Sequence, residues 1–158
     1  MAVSRVFISA SVGASLVIAT PFIADWEGKR NDPYNDIAGI RTVCYGETRV
    51  QMRRYSDAEC LEMLEKAVGE FAHQVVKITP SLANRPIQLA AATSLAYNIG
   101  IGAYKNSTVA RQFNAGNYLA ACESFKAWRM VTKNGKKVVS QGLVNRRMAE
   151  YKLCVTYV

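Results

Sequence analysis

Apolar residues recur along this chain with helical and strand periods, and turn residues separate the two. Ser56-Asp57-Ala58-Glu59 is a capping box. After it Cys60, Leu64, Ala67, Val68, Phe71 and Val75 return at helical spacing, which predicts a helix with one buried face. Pro80 and the stretch from Ser81 to Pro86 break it. Residues from about Ile87 to Ile99 are rich in Ala and Leu and predict a central buried helix, ended by Gly100-Ile101-Gly102. Ser107 can cap a helix through about Phe113, Asn114 to Asn117 is a turn, and Tyr118 to Trp128 reads as a further helix. Lys133-Asn134-Gly135-Lys136 is a strong turn signal, followed by Val138-Val139 as a short strand or an ordered loop. The final helix starts near Leu143 and carries Arg146 and Arg147.

Ahead of the capping box the pattern differs. From Val6 to Ala24 runs a stretch of 19 residues without a charge, bounded by Arg5 and Asp25. Tyr34 to Tyr45 then alternates loosely around Gly39, as a hairpin would. Helices outnumber strands. The expected fold class is therefore α+β: a mostly helical body, a small β-hairpin lobe and an N-terminal apolar segment. The expected division is residues 1–24 for that segment and 25–158 for the body.

The junction of the segment and the hairpin holds the candidate chemistry. Glu27, Asp36 and Thr42 follow the spacing Glu-x8-Asp-x5-Thr. Glu27 precedes Gly28 at the close of the apolar run, where a helix would end. Asn31-Asp32-Pro33 is turn chemistry. A helix-end acid and a hairpin acid can face each other across a cleft, as glycosidic hydrolysis requires. One acid protonates the leaving oxygen, and the other carboxylate handles water or the developing positive charge. The even offset from Asp36 to Thr42 puts both on one face of a regular ribbon, unless a bulge near Gly39 shifts the register.

These residues resemble the phage-type lysozymes, or endolysins, of glycoside hydrolase family 24. Glu27-Gly28 with Asp32-Pro33-Tyr34-Asn35-Asp36, the strand Thr42-Val43-Cys44-Tyr45-Gly46, and the distant Gly142-Leu143 with Arg146-Arg147 and Glu150 are similar to that family's motifs. The match runs from about residue 23 to the C-terminus. The resemblance implies a lysozyme-like fold acting on the β-1,4 bond between N-acetylmuramic acid and N-acetylglucosamine in peptidoglycan. Glu27 is then the general acid, Asp36 the second carboxylate, Thr42 the residue that positions water, and Arg146 the arginine that orients Glu27. Glu47 departs from the family, many of whose members carry histidine at that position. Of the aromatics Trp26, Tyr34, Tyr45, Tyr97, Tyr104 and Trp128, most are assigned to the core, and Tyr34 is kept as a substrate-binding candidate. Asn98 and Gln112 are candidates for acetamido groups.

The apolar run admits three readings. As a cleaved signal peptide, with Val17-Ile18-Ala19 as the cleavage site, it would leave a new N-terminus only seven residues before Glu27. As a permanent anchor it is about 28 Å of helix, a marginal span diluted by Ser9, Ser11, Gly13, Ser15, Thr20 and Pro21. As a temporary anchor it inserts weakly and can leave, which resembles the signal-anchor-release segment of some lambdoid phage endolysins. The third reading is favoured. It implies export to the periplasm of a bacterial host, with an initial tether to the inner membrane. No cysteine precedes Cys44, so release by disulfide rearrangement within the anchor is not available.

Charge and cysteines complete the picture. Lys and Arg number 20 against 12 Asp and Glu, a net charge of +8, which fits an anionic partner such as the cell wall. Nucleic acid is not expected, because the basic groups are scattered and not interleaved with aromatics. Four cysteines, Cys44, Cys60, Cys122 and Cys154, allow three pairings, and their sequence does not choose among them. The lysozyme-like fold implied by resemblance favours Cys44 with Cys60 and Cys122 with Cys154. With no Cys-x-x-Cys pair and only His73 to join them, no metal is expected, and no cofactor. The chain is expected to be a monomer. A lytic transglycosylase and a non-catalytic, membrane-disrupting basic protein are the rival readings.

Overall fold

The computed structural model describes residues 10–36 and 38–158. Residues 6–9 of the apolar run lie outside them. From Ala10 to Trp26 the run forms one helix, α1. Ser15, Ala19, Thr20 and Ile23 on its inner side are buried, and Val17 on the opposite side is exposed. Pro21 lies on the exposed side as well, where the chain tolerates the hydrogen bond it removes. The helix passes the residue 24/25 boundary without a break, so its inner side belongs to the core of the body.

Two strands follow, β1 (Arg30–Asn35) and β2 (Arg41–Cys44), paired antiparallel. Their register is irregular, but not at Gly39. It shifts between Arg30, opposite Cys44, and Tyr34, opposite Thr42. Pro33 lies in that interval and has no N–H to give to a ladder, which is the physical cause. Gly39 instead takes a left-handed φ of 79° within the turn.

The capping box opens α2 (Asp57–Ile78): Ser56 Oγ accepts from Glu59 N, and the Glu59 carboxylate accepts from Ser56 N. A short 3-10 turn over Pro80–Asn84 leads into α3 (Pro86–Ile99). Every residue of α3 from Gln88 to Ala96 is buried. A helix buried all round shows no amphipathic stripe. Its alanines allow α1, α2 and the last helix, α7 (Gln141–Cys154), to pack closely around it. Gly100 ends α3 with φ 91°, yet Gly102 does not extend the break, since a new helix, α4 (Ile101–Lys105), starts at once. Then come α5 (Thr108–Asn114), capped by Ser107, and α6 (Tyr118–Ser124). The helix expected to reach Trp128 tightens into a 3-10 turn over Phe125–Ala127.

A second hairpin, β3 (Met130–Lys133) with β4 (Lys136–Val139), precedes α7. Asn134 and Gly135 both take positive φ, as a two-residue hairpin turn requires. Val138-Val139 is thus a strand, and the described residues form two hairpins where one was expected. Two disulfides close the frame. Cys44–Cys60 ties β2 to the start of α2, and Cys122–Cys154 ties α6 to the end of α7.

Candidate active site

Glu27 is the first residue beyond α1. Its backbone N–H donates to Ile23 O at 3.0 Å, so the last turn of the helix fixes where its side chain begins. The carboxylate enters a cleft of about 360 Å³ whose wall includes Tyr45, Glu47, Arg49, Phe71, Tyr97 and Asn98. At its inner side Arg146 Nη1 donates to Glu27 Oε1 at 2.8 Å. The Glu27 side chain is 27% exposed and that of Arg146 only 5%. A carboxyl group pinned from behind and open in front can reach a ligand in the cleft without losing its orientation.

Arg146 is itself held. Its Nε donates to Glu150 Oε1 at 3.3 Å, and Nη2 donates to Ser94 O at 3.4 Å. Arg147 pairs with the same glutamate, Nε to Oε2 at 2.7 Å, and its Nη2 donates to Asn98 Oδ1 at 2.9 Å. Ser94 Oγ donates to Glu150 Oε1 at 2.7 Å. Burial raises the Glu150 pKa from its ordinary value, opposed by Arg147, Ser94 and Arg146. Burial also lowers that of Arg147, opposed by Glu150.

The hairpin residues form their own group. Asp36 N donates to Ile40 O, and Asp36 Oδ1 accepts from Ala38 N and Ile40 N at 2.8 and 2.9 Å. Thr42 is buried, and its hydroxyl donates to the same Ile40 O at 2.9 Å. Because Asp36 opens the turn and Thr42 lies on β2, opposite Tyr34, the parity argument for a single ribbon does not apply. The carbonyl of Ile40 links them instead. Tyr34 lies beneath the guanidinium of Arg30, 4.7 Å from its ring centroid. Asp36, Thr42 and Tyr34 are not among the residues lining the cleft at Glu27.

Other candidates separate cleanly. Tyr97 and Asn98 line the cleft, and burial pushes the Tyr97 hydroxyl up to about 12. Trp128 lines a second groove that Asn98 also lines. Tyr104 is fully buried against Thr79, so it is a core residue. Gln112 accepts from Asn117 and lines neither groove. Among the described residues no cluster of His, Cys, Asp or Glu is arranged to hold a metal.

The sequence named Glu150 within a motif and Glu47 as a departure, but it gave no role to Ser94 or Glu150 and no sign of the Glu47–Arg49–Glu70 contacts. The Glu47 carboxylate accepts from Arg49 Nε at 3.0 Å, while Arg49 Nη1 reaches Glu70 on α2 at 3.3 Å. The departure at position 47 thus comes with an arginine that ties the hairpin lobe to α2. A signal for Glu150 was present: Arg-Arg-x-x-Glu sets one glutamate three and four residues from two arginines on a helix.

A mostly helical body with a helix-end carboxyl group in a cleft beside a small hairpin is the architecture of a lysozyme-like glycoside hydrolase. Residues 24–150 match the phage lysozyme family model. The chain is 37% identical over 145 residues to a SAR-endolysin of Pseudomonas phage phiKMV, spanning 90% of this chain and 89% of that one. The endolysin from Escherichia coli O157:H7 phage FAHEc1 superposes with a TM-score of 0.77 at 31% identity, covering 100% of this chain and 96% of the other. The muramidase domain of SpmX from Asticaccaulis excentricus gives a TM-score of 0.78 at 25% identity, covering 88% and 95%. The chain belongs to the phage lysozyme family.

Proposed function

We propose that this protein hydrolyses the bond between C1 of N-acetylmuramic acid and O4 of N-acetylglucosamine in peptidoglycan, with Glu27 as the general acid. Glu27 gives its proton to O4 as the C1–O4 bond breaks. Water adds to C1, and Asp36 takes a proton from that water or stabilises the positive charge on the sugar. The Thr42 hydroxyl positions the water, Arg146 orients Glu27, and Tyr34 binds the sugars. The observation that carries this reading is the Glu27–Arg146 contact: a cleft-facing carboxyl group held at 2.8 Å by a buried arginine.

The decisive experiment is mass spectrometry of digested peptidoglycan with wild type and Glu27→Gln. Reducing-end muramic acid from wild type, and none from the folded variant, is the expected result. Anhydromuramic acid would assign a lytic transglycosylase instead, and cell lysis by Glu27→Gln would assign membrane disruption without catalysis.

Delivery to the wall uses the apolar run as a temporary tether. The chain is exported to the periplasm with Val6 to Ala24 in the inner membrane. It becomes active when that segment leaves the bilayer and docks as α1. Its uncharged length and its dilution by Ser, Gly and Ala support insertion followed by escape. Among the described residues no helix is long and apolar enough to cross a membrane. In the docked state Ile23 is fully buried, and the turn it begins carries Glu27. The enzyme acts as a monomer. Lengthening the run with leucines should hold the chain on the membrane in an inactive form. A membrane-bound and fully lytic variant would overturn the tether.

A further inference from the structure

Among the buried polar groups that the roles assigned to Glu27, Asp36, Thr42 and Arg146 leave unused, Ser94, Arg147 and Glu150 stand together. They stand directly behind the Glu27–Arg146 contact. Glu150 is 0% exposed and touches both arginines, each of which reaches the cleft at a different point. Arg146 ends on the Glu27 carboxylate, and Arg147 ends on the Asn98 side-chain oxygen. Asn98 lines both grooves, so Glu150 stands behind an acid and an amide that both line the cleft.

The charges explain why a carboxylate is needed there. A general acid must still hold its proton when substrate arrives, and a neighbouring guanidinium favours the state that has lost it. Two adjacent buried arginines would make that bias stronger. Glu150 supplies one negative charge against both, so the orienting hydrogen bond to Glu27 is kept while part of its electrostatic pull is offset. Within the cluster Glu150 then offsets one of the two cations, Arg146 and Arg147, while Glu27 holds its proton.

We propose that Glu150 is a positioning residue that holds Arg146 against Glu27 and Arg147 against Asn98, and offsets their charge so that Glu27 stays able to donate a proton. This rests on the reading of Glu27 as the acid. Other charged or titratable groups face the pair from each neighbouring element. Tyr97 comes from α3, and Glu47 and Arg49 come from the loop after β2. Around Glu150 the groups are Arg146 and Arg147 on its own helix and the Ser94 hydroxyl on α3.

The test is turnover against pH on solubilised, purified peptidoglycan at fixed ionic strength. Glu150→Gln keeps the shape and the contact with Ser94 but removes the charge. Its alkaline limb should move to lower pH by about one unit. Arg147→Gln removes one of the two cations and should move the limb to higher pH. The double variant restores the balance and should return the limb to the wild-type position whatever its absolute rate. Disturbed packing alone lowers the rate without opposite shifts, so unmoved limbs, or shifts in the same direction, overturn the proposal. If Glu150→Gln does not fold, Arg147→Gln and the double variant decide the matter by the same criterion. Glu27→Gln run in parallel separates the two ideas. Full activity there sinks the acid assignment and this inference with it, whereas an inactive Glu27→Gln beside unmoved limbs sinks this inference alone.

Discussion

Arg146 Nη1 donates to Glu27 Oε1 at 2.8 Å, joining residues 119 apart in sequence. The bond ties α7 to the end of α1, so the first and last helices share the site. Arg146→Gln should leave Glu150 with one cation fewer and Glu27 free to rotate. Turnover should fall about 100-fold, as for other loss of near-attack positioning, and stability by about 3 kcal/mol, as for breaking a buried pair. Arg146→Lys keeps the charge but loses the fork that spans Glu27, Glu150 and Ser94 O. It should recover more stability than turnover. Thermal denaturation and muropeptide release measure the two separately.

Thr42 and Asp36 meet at the carbonyl of Ile40, which accepts from the Thr42 hydroxyl and from the Asp36 backbone N–H. Thr42→Val keeps the shape of the buried side chain and loses one hydrogen bond, a cost of about 1 kcal/mol. If the hydroxyl also positions water, kcat on purified peptidoglycan should fall about 100-fold with little change in KM. Wild-type turnover in that variant would leave Thr42 with a structural role alone.

The helical frame was legible because its signals are local. Ser56 and Glu59 form the capping box their spacing promised, and Ser107 caps α5. Features set by tertiary contact were not. Resemblance marked out Arg146, but Arg147 and Glu150 look like solvated helix charges until Ser94 appears across from them on α3. Ser94 is one polar residue in an alanine-rich run, and nothing local marks it out. In the hairpin the turn at Gly39 could be read, but the register depends on which N–H groups the ladder lacks, and Pro33 sets that. The helix after Gly100 resumes at Ile101 because a single left-handed residue redirects the chain without ending its helical tendency.

Acid should weaken the link between the hairpin lobe and α2. Burial raises the Glu47 pKa, but hydrogen bonds from the Arg49 side chain and backbone, with its charge, prevail and leave it lowered from 4.5. A carboxylate with a depressed folded pKa stabilises the native state above its unfolded value. That contribution is lost as pH falls through the folded pKa. Stability should therefore decline below about pH 4.5, and Glu47→Gln should flatten that decline while lowering stability at pH 7. Chemical denaturation of both proteins between pH 3 and pH 7 reads the difference.

The two disulfides should differ in what they protect. Cys122–Cys154 closes 32 residues within the helical body, and Cys44–Cys60 closes 16 between β2 and α2. Removing either by paired alanine substitution should cost about 3 kcal/mol. Cys60 lines the cleft, so loss of the Cys44–Cys60 link should also lower turnover at temperatures where the protein is still folded. Loss of Cys122–Cys154 should lower the melting temperature and leave turnover at 25 °C unchanged. Equal effects of both on turnover would show that the lobe does not depend on its own link.

Ile23 and Val17 lie on opposite sides of α1 and separate docking from membrane retention. Ile23 is fully buried, and Val17 is 76% exposed. Ile23→Ala removes apolar contact from the docked helix at a cost of about 3 kcal/mol. The turn it begins ends at Glu27, so turnover should fall along with stability. Val17→Ser should change folded stability by no more than about 0.5 kcal/mol, because it is a surface substitution. In the bilayer the same change removes an apolar side chain from a marginal span and should hasten release. Melting curves, membrane fractionation and the time of onset of lysis, measured on both variants, test the pair. Delayed lysis in Val17→Ser would mean that the exposed side of α1 has a partner in the active enzyme, and that escape from the membrane does not set the timing.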